Sequence, residues 1–197
     1  KIFAPVRGYN RRTVGFTATK DFEHWPSTQL ILAPDETDDR WASLKDQRTE
    51  FYGLSGFPYA SGYIGFLWIF HITDGLNDGP IYCELVSSRD GISWVREQAV
   101  NGERIPILPV GPKGAWDQGM VFTPNHPLMD KDSIRLWYGG SGVTHGSDDD
   151  SARSSIGLAT LRKDGFASID AGGAVGTLTT TPLKNLRGLL FVNATAR

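Results

Sequence analysis

The chain has 197 residues and a formal net charge of −2 at pH 7, from 20 basic and 22 acidic side chains. This balance excludes a basic surface for nucleic acid or an anionic membrane, and no apolar stretch is long enough for a transmembrane helix. The single cysteine, Cys83, excludes a disulfide framework and a cysteine-rich zinc site, and no motif for another metal or for a cofactor is present.

The predicted elements are all β-strands. Glycine (23), proline (11) and aromatic residues (six Trp, six Tyr and ten Phe) are frequent, and alternating aromatic and β-branched runs favour half-buried strands. No segment combines a sustained helical period with the residues that end helices, so we predict an all-β fold.

A turn motif occurs three times in chain order. Each copy follows an alternating apolar run and places a basic residue before an aspartate, which Gly or Phe follows. Because Asp side chains accept backbone N–H bonds in tight turns, we predict superposable turns at Asp21, Asp90 and Asp164. Trp25 and Trp94 lie at the same offset in the first two copies, and we expect both to pack within their repeats.

Each complete repeat is predicted to contain four short strands, which is the composition of a β-propeller blade. We therefore predict a partial propeller over residues 1–175, with a partial first blade and two complete ones. The blades span approximately 1–49, 50–116 and 117–175. The strands of the complete blades are predicted at 50–59, 63–72, 80–89 and 92–98, and at 117–124, 133–140, 154–162 and 165–170.

Two complete blades and a partial one do not close a ring, because propellers have four blades or more. We expect the chain to be an excerpt of a longer protein. Alternatively, a second copy or a flanking chain completes the propeller and covers its open edges.

Glu50 and Asp117 open the first strands of consecutive blades. In a propeller, such positions face one mouth of the central channel, so the two carboxylates are predicted to converge on one cavity. Glycoside hydrolysis requires a carboxyl group that protonates the leaving oxygen and a second one across a gap of roughly 5–9.5 Å. The alternative is that each acidic residue only caps a turn.

Trp116 directly precedes Asp117 in a loop rich in Pro and Gly, and an aromatic ring beside an acid is suited to the apolar and polar faces of a sugar. Packing between blades is an equally good interpretation of Trp116. For Trp68 and Trp137, which occupy equivalent second-strand positions, packing is the better interpretation.

His145 and His71 lie in, or next to, the loops that join the second and third strands of the two complete blades. Such loops form the rim of a cavity, where a histidine can hydrogen-bond a substrate hydroxyl group. A structural role is the alternative for both.

Several segments resemble the bacterial five-bladed propeller proteins related to invertase- and arabinanase-type glycoside hydrolases (families 32 and 43). The resemblance covers nearly the whole chain, and Trp116-Asp117 is also similar to an element of the related mannoside phosphorylases. The invertase motifs Asn-Asp-Pro-Asn, Arg-Asp-Pro and Glu-Cys are absent. The segments that carry the resemblance are 12–25, 32–38, 50–53, 88–91, 114–119 and 157–166.

The resemblance implies a carbohydrate substrate, and Arg12 and Tyr52 in the matched segments are further substrate-binding candidates. It also implies that residues 176–197 lead out of the propeller towards a C-terminal β-sandwich outside this sequence. We expect a glycoside hydrolase-like protein located outside the cytoplasm or in the periplasm. The alternatives are a non-catalytic glycan-binding or scaffold propeller and, less favoured, a module for protein partners.

Overall fold

The computed structural model describes residues 1–74, 77–99, 101–149, 154–182, 184, 187–188, 192 and 194. Within these ranges the chain contains strands, turns and irregular segments and no helix, which confirms the all-β prediction. The chain divides into a compact unit over Lys1–Phe166 and a second unit over Ala167–Arg197. All described strands belong to the first unit, and the described residues of the second have no regular structure.

The first repeat is a three-stranded antiparallel sheet. It contains β1 (Ile2–Gly8), β2 (Arg11–Thr17) and β3 (Gln29–Leu32), in the order β1-β2-β3. Tyr9 and Asn10 join β1 to β2 with φ values of 54° and 61°, the backbone of a two-residue hairpin turn whose twist matches that of the strands.

The second repeat is an antiparallel meander at one edge of a nine-stranded sheet. It contains β4 (Arg48–Tyr59), β5 (Gly62–Ile72) and β6 (Ile81–Ser88), and both β7 (Trp94–Arg96) and β8 (Pro106–Leu108) pair with β6. All four predicted strands of this repeat are confirmed, with bounds that differ by at most two residues.

The third repeat continues the same sheet. It contains β9 (Met120–Phe122), β10 (Leu128–Met129), β11 (Ser133–Ser141) and β12 (Ser154–Arg162). The first predicted strand, 117–124, is shortened to β9, and β10 is an additional strand outside the predicted range. The second and third predicted strands are confirmed. A parallel bridge between Ile81 and Met120 joins the second repeat to the third.

The strand predicted at 165–170 is wrong. Phe166 packs against Phe57, Phe66 and Tyr59 of the second repeat, which directs the chain across the repeats and not back along β12. Residues 167–170 are exposed and irregular. The nine-stranded sheet curls into a half-barrel, and the five-bladed ring stays a prediction.

The first two turn motifs have the same hydrogen-bond pattern. Asp21 Oδ1 accepts bonds from the backbone N–H groups of Glu23 and His24 at 3.0 and 2.9 Å. Asp90 Oδ1 accepts the equivalent bonds, both at 2.7 Å, from Ile92 and Ser93. These bonds hold the pKa of both carboxyl groups well below the ordinary value. The prediction is therefore confirmed for Asp21 and Asp90.

The third turn is different, and the prediction is wrong for Asp164. Its carboxylate accepts a hydrogen bond from the Tyr59 hydroxyl group of another repeat, and no bond from a backbone N–H group to it is described. The position of the residue with a left-handed backbone also differs. In the third turn Asp164 itself has a φ of 59°, whereas in the other two turns the residue after the aspartate, Phe22 or Gly91, has a positive φ. The contact with Tyr59 replaces the local bonds of the motif.

The tryptophans after the first two turns have different surroundings. Trp94 is buried at 9% exposure in the core between the first two repeats, with its ring edge-on to Phe3. Trp25 is 38% exposed, and its described contacts are with Phe22 of its own turn. The predicted packing role is confirmed for Trp94, whereas Trp25 packs against its own turn and stays partly exposed.

Apolar side chains fill the spaces between neighbouring repeats. One cluster joins the first and second repeats around Val14, Phe51 and Leu67, and a second joins the second and third around Phe66 and Leu136. Trp68 confirms its predicted packing role, because its Nε1 donates to Thr123 Oγ1 over 2.9 Å. The outer face of the third repeat is uncovered in the described chain, and its exposed large apolar residues are Trp137, Ile156 and Leu158. The packing role predicted for Trp137 is therefore not confirmed.

Candidate functional site

Glu50 lies in β4 with its side chain fully buried, and two arginines bind its carboxylate. Arg12 Nη1, from β2 of the first repeat, lies 2.5 Å from Glu50 Oε2, and Arg48 Nε lies 2.9 Å from Oε1. Arg48 and Glu50 are two residues apart on one strand, so they share a face of the sheet. A carboxylate at this depth requires such paired partners.

The pKa of Glu50 results from opposing effects. Burial alone would raise it, because a charged carboxylate loses its hydration. The hydrogen bonds and positive charges of Arg48 and Arg12 outweigh burial and bring the pKa below its ordinary value. Glu50 is therefore ionised at neutral pH, and both of its oxygens are occupied by protein donors.

Arg12 connects Glu50 to Tyr52 and, through Tyr52, to His145, both of which were predicted as substrate-binding residues. Its guanidinium carbon lies 5.5 Å from the ring centroids of both Tyr52 and Phe70, and Nη1 also donates to Asn77 Oδ1 over 2.8 Å. The Tyr52 hydroxyl group lies 3.1 Å from His145 Nε2. The Arg12 network, defined as Arg12, Arg48, Glu50, Tyr52, Asn77 and His145, thus contains four residues that the sequence analysis proposed separately.

The contacts of His145 determine its tautomer. Nδ1 lies 3.0 Å from the backbone carbonyl oxygen of Asn77, so Nδ1 carries the proton and donates it. Nε2 then accepts the hydrogen bond from Tyr52. Both ring nitrogens are therefore occupied within the protein, which fixes the orientation of the ring.

Asp78 holds together the two loops that follow β5 and β11. Its Oδ1 accepts hydrogen bonds from the N–H groups of Gly79 and Gly146 at 2.7 and 2.8 Å, and the His145 N–H group donates to the Gly79 carbonyl at 3.1 Å. Burial would raise the pKa of Asp78, but the bonds from Thr144, Gly146 and Gly79 lower it. The loops expected to form a rim are thus bonded to each other and position His145.

Asp117 and Trp116 form a second group around Tyr138 of β11. The Tyr138 hydroxyl group donates to Asp117 Oδ2 over 2.8 Å, and its ring stacks on Trp116 with centroids 5.7 Å apart and 21° between the planes. Burial, followed by this contact with the carboxylate, raises the pKa of Tyr138, which therefore keeps its proton. Trp116 is 39% exposed, so part of this residue reaches solvent.

Two glycines allow this group to form. A Cβ atom at Gly111 would lie 2.1 Å from Asp117 Oδ1, and one at Gly140 would lie 2.6 Å from the Trp116 ring. Side chains at these positions would displace the carboxylate and the indole. Neither Gly111 nor Gly140 has a positive φ, so the constraint at both positions is close approach alone.

An open cleft of about 450 Å³ adjoins this group through Gly111, which lies close to the Asp117 carboxylate. Trp116, Asp117 and Tyr138 are not themselves among its lining residues. The loop after β11 supplies part of its lining and also carries His145 of the Arg12 network. The described hydrogen bonds do not link Asp117 with Glu50, so the convergence of the two carboxylates on one cavity stays a prediction. The residues lining the cleft are Gly111, Lys113, Gln118, Gly119, Gly142, Val143, Thr144 and Ser147.

His71 belongs to neither group in the described contacts. Its ring stacks on Trp41 with centroids 4.4 Å apart, and Nε2 lies 3.2 Å from the Tyr82 hydroxyl group. Burial lowers the pKa of His71 to about 4, so it is neutral at neutral pH. Its neighbour Phe70 contacts Arg12, and alternation along β5 directs His71 to the opposite face.

Arg48, Asn77, Asp78 and Tyr138 were not predicted from the sequence. Arg48 had a detectable signal, because it lies two residues before Glu50 in a strand pattern. Tyr138 lies in a predicted strand, but its partner is 21 residues away. The described residues include no group of three or more His, Cys, Asp or Glu side chains that could hold a metal ion, and no helix among them could span a membrane.

No family model matches this sequence. No curated protein matches it either. Among solved structures, an N-acetylgalactosamine deacetylase from F. plautii, in complex with blood group B trisaccharide, is 18% identical, with a TM-score of 0.54 over 79% of this chain and 43% of that one. A glycoside hydrolase is 10% identical, with a TM-score of 0.51 over 80% and 38%.

A β-1,2-mannobiose phosphorylase from Listeria innocua is 19% identical, with a TM-score of 0.48 over 77% of this chain and 34% of that one. This chain spans less than half the length of each of these three proteins. At these identities, the likeness to the deacetylase and the glycoside hydrolase concerns the fold alone.

Proposed function

We propose that this chain is part of a carbohydrate-acting protein that binds a sugar at the Trp116 ring and uses the Asp117 carboxyl group for acid/base chemistry. The observation that carries the proposal is the joint placement of an accessible indole and a held carboxylate beside an open cleft. A sugar presents C–H groups to an aromatic ring and hydroxyl groups to a carboxylate. The carbohydrate-processing activities named for the structures of similar fold support this substrate class.

In this proposal Glu50 is an ionised residue that positions Arg12 and Arg48 and does not itself react. Glycoside cleavage needs one carboxyl group that donates a proton and a second carboxylate that acts on water or on the sugar. The lowered pKa of Glu50 is unsuited to proton donation at neutral pH, and both of its oxygens accept hydrogen bonds from arginines. Glu50 would therefore contribute by fixing Arg12 and Arg48 in orientations suited to a substrate.

Arg12 and Arg48 are then the members of this network placed to contact substrate, because their side chains are 20% and 29% exposed. Tyr52 and His145 would support the rim, since their hydrogen bonds connect the network to the loop that lines the cleft. His71 would stabilise the fold through Trp41 and Tyr82. A location outside the cytoplasm or in the periplasm remains part of this proposal.

The second candidate function is glycan binding without hydrolysis. It is favoured by one observation: of the two carboxylates expected to react, only Asp117 has an oxygen without a described hydrogen-bond donor. A binding module needs the Trp116 ring and the cleft but no pair of reactive carboxyl groups.

A screen of the protein against glycans and aryl glycosides tests both candidates, with Asp117→Asn as the decisive variant. The substitution keeps the shape and removes the titrating group, so turnover should fall by on the order of a hundredfold while glycan binding persists. Asp132→Asn, in an exposed turn, is the matched control. Unchanged turnover in Asp117→Asn would refute the catalytic assignment, and binding without turnover by the unmodified protein would establish the second candidate.

A further inference from the structure

The end of the β1–β2 hairpin carries two arginines side by side. Arg7 in β1 and Arg12 in β2 are directly opposed in the antiparallel register, so their side chains lie on one face of the sheet. Like charges in such a position destabilise a sheet. Arg7 is exposed, and none of the described residues forms a hydrogen bond or an ion pair with its side chain.

Among the described ion pairs, one carboxylate compensates the positive charge at this position. Glu50 binds both Arg12 and Arg48, whereas Arg7 has no acidic partner among the described residues. The nearby Asp39 forms an ion pair with Arg11, which alternates to the other face of β2. The Asp78 carboxylate binds the N–H groups of the rim loops. The arginines therefore retain an excess of positive charge.

The contacts that hold Arg12 leave part of its guanidinium group available to donate hydrogen bonds to a ligand. Nη1 is occupied by Glu50 and Asn77, whereas Nε and Nη2 have no acceptor among the described residues. The side chains of Arg12 and Arg48 are 20% and 29% exposed, so both reach solvent. Because the buried Glu50 and the rings of Tyr52 and Phe70 fix the guanidinium of Arg12, little side-chain entropy is lost when a ligand binds.

We propose that Arg7, Arg12 and Arg48 bind an oxyanion group, carboxylate or phosphate, of a carbohydrate substrate. Planar guanidinium groups match both of these groups through paired N–H donors. The inference rests on the proposed carbohydrate function and extends it by naming an acidic substrate class. The ligand would reduce the repulsion between Arg7 and Arg12, which Glu50 compensates only at Arg12 among the described residues.

Equilibrium titrations of the full chain, followed by NMR chemical shifts at constant ionic strength, test this site with three probes: sodium glucuronate, sodium phosphate and neutral glucose. At least one anion should bind more tightly than glucose, with an affinity that decreases as salt increases.

Arg7→Gln should weaken anion binding about tenfold, because a charge-assisted hydrogen bond is lost. Arg7 lies outside the described hydrogen bonds of Glu50, so the variant should fold. Arg89→Gln, in the exposed second turn, is the matched control and should bind like the parent.

Glucuronate binding that Arg7→Gln weakens supports the site and identifies an acidic sugar as its ligand. Phosphate binding with the same sensitivity, without glucuronate binding, supports the site and identifies phosphate as its source. Affinity for both anions no greater than for glucose, or equal anion affinity in the parent and Arg7→Gln, would overturn the inference. The titration requires no turnover, so its outcome is independent of the Asp117→Asn test of the proposed function.

Discussion

Tyr138 contacts both members of the Trp116-Asp117 pair: its hydroxyl group donates a hydrogen bond to Asp117 over 2.8 Å, and its ring stacks on Trp116. A single side chain thus sets the position of the accessible indole and of the carboxylate. The two functions of Tyr138 can be separated by substitution, because the hydroxyl group can be removed while the ring is kept.

Tyr138→Phe should therefore reduce turnover while leaving glycan affinity close to that of the parent. Loss of one hydrogen bond to a charged group costs about 1.5–3 kcal/mol, so the rate should fall by at least about tenfold. Tyr138→Ala removes the stacked ring as well and should weaken affinity too. Measurements of kcat and KM on an aryl glycoside separate the two effects. Equal kinetics for Tyr138→Phe and the parent would show that the hydroxyl contact has no role in positioning Asp117.

Gly140→Ala should disturb the Trp116-Asp117 pair, whereas Gly139→Ala should not. A Cβ atom at Gly140 would lie 2.6 Å from the Trp116 ring and 2.7 Å from Asp117 Cβ, while a Cβ atom at Gly139 meets nothing within 4 Å. Overpacking of this kind costs about 1–3 kcal/mol. Thermal unfolding and Trp fluorescence of the two variants provide the comparison. The interpretation fails if both variants unfold at the same temperature and have the parent's fluorescence spectrum.

Glu50→Gln should destabilise the chain by about 3 kcal/mol, because it leaves two arginines around a buried neutral amide. The pKa of Glu50 is lowered from 4.5 in the folded chain, so its stabilising effect is complete above pH 4.5 and is lost as the pH falls through the folded-state pKa. Denaturant unfolding as a function of pH should therefore show a smaller acid-induced loss of stability in Glu50→Gln than in the parent. The exposed Glu36→Gln is the control, and parallel pH profiles for Glu50→Gln and the parent would contradict the prediction.

Asp90→Ala should lower the unfolding temperature more than Asp21→Ala, although the two turns have the same hydrogen bonds. The Asp90 turn places Trp94 in the core between the first two repeats, whereas the Asp21 turn leads to Trp25, which is 38% exposed. Thermal unfolding of the two single variants tests this directly. Equal losses, or a greater loss from Asp21→Ala, would show that the effect is confined to the turns themselves.

Much of the fold could be predicted because its signals are local. Alternating side chains in the second repeat predicted its four strands, since residues two apart along a strand face the same environment. The aspartate turns at 21 and 90 were predictable for the same reason, because each carboxylate binds N–H groups two and three residues further along the chain. The third turn was predicted wrongly because Tyr59, a distant residue, binds Asp164.

The sequence by itself determined the all-β class and the residue types that could contact a sugar, because these depend on neighbouring residues. Only the tertiary structure decided how the candidates are grouped. It placed Glu50 between two arginines, one of them 38 residues away, and paired Asp117 with Tyr138 across 21 residues. The pKa of Glu50 depends on these partners and on burial, which form only when strands from different repeats pack together.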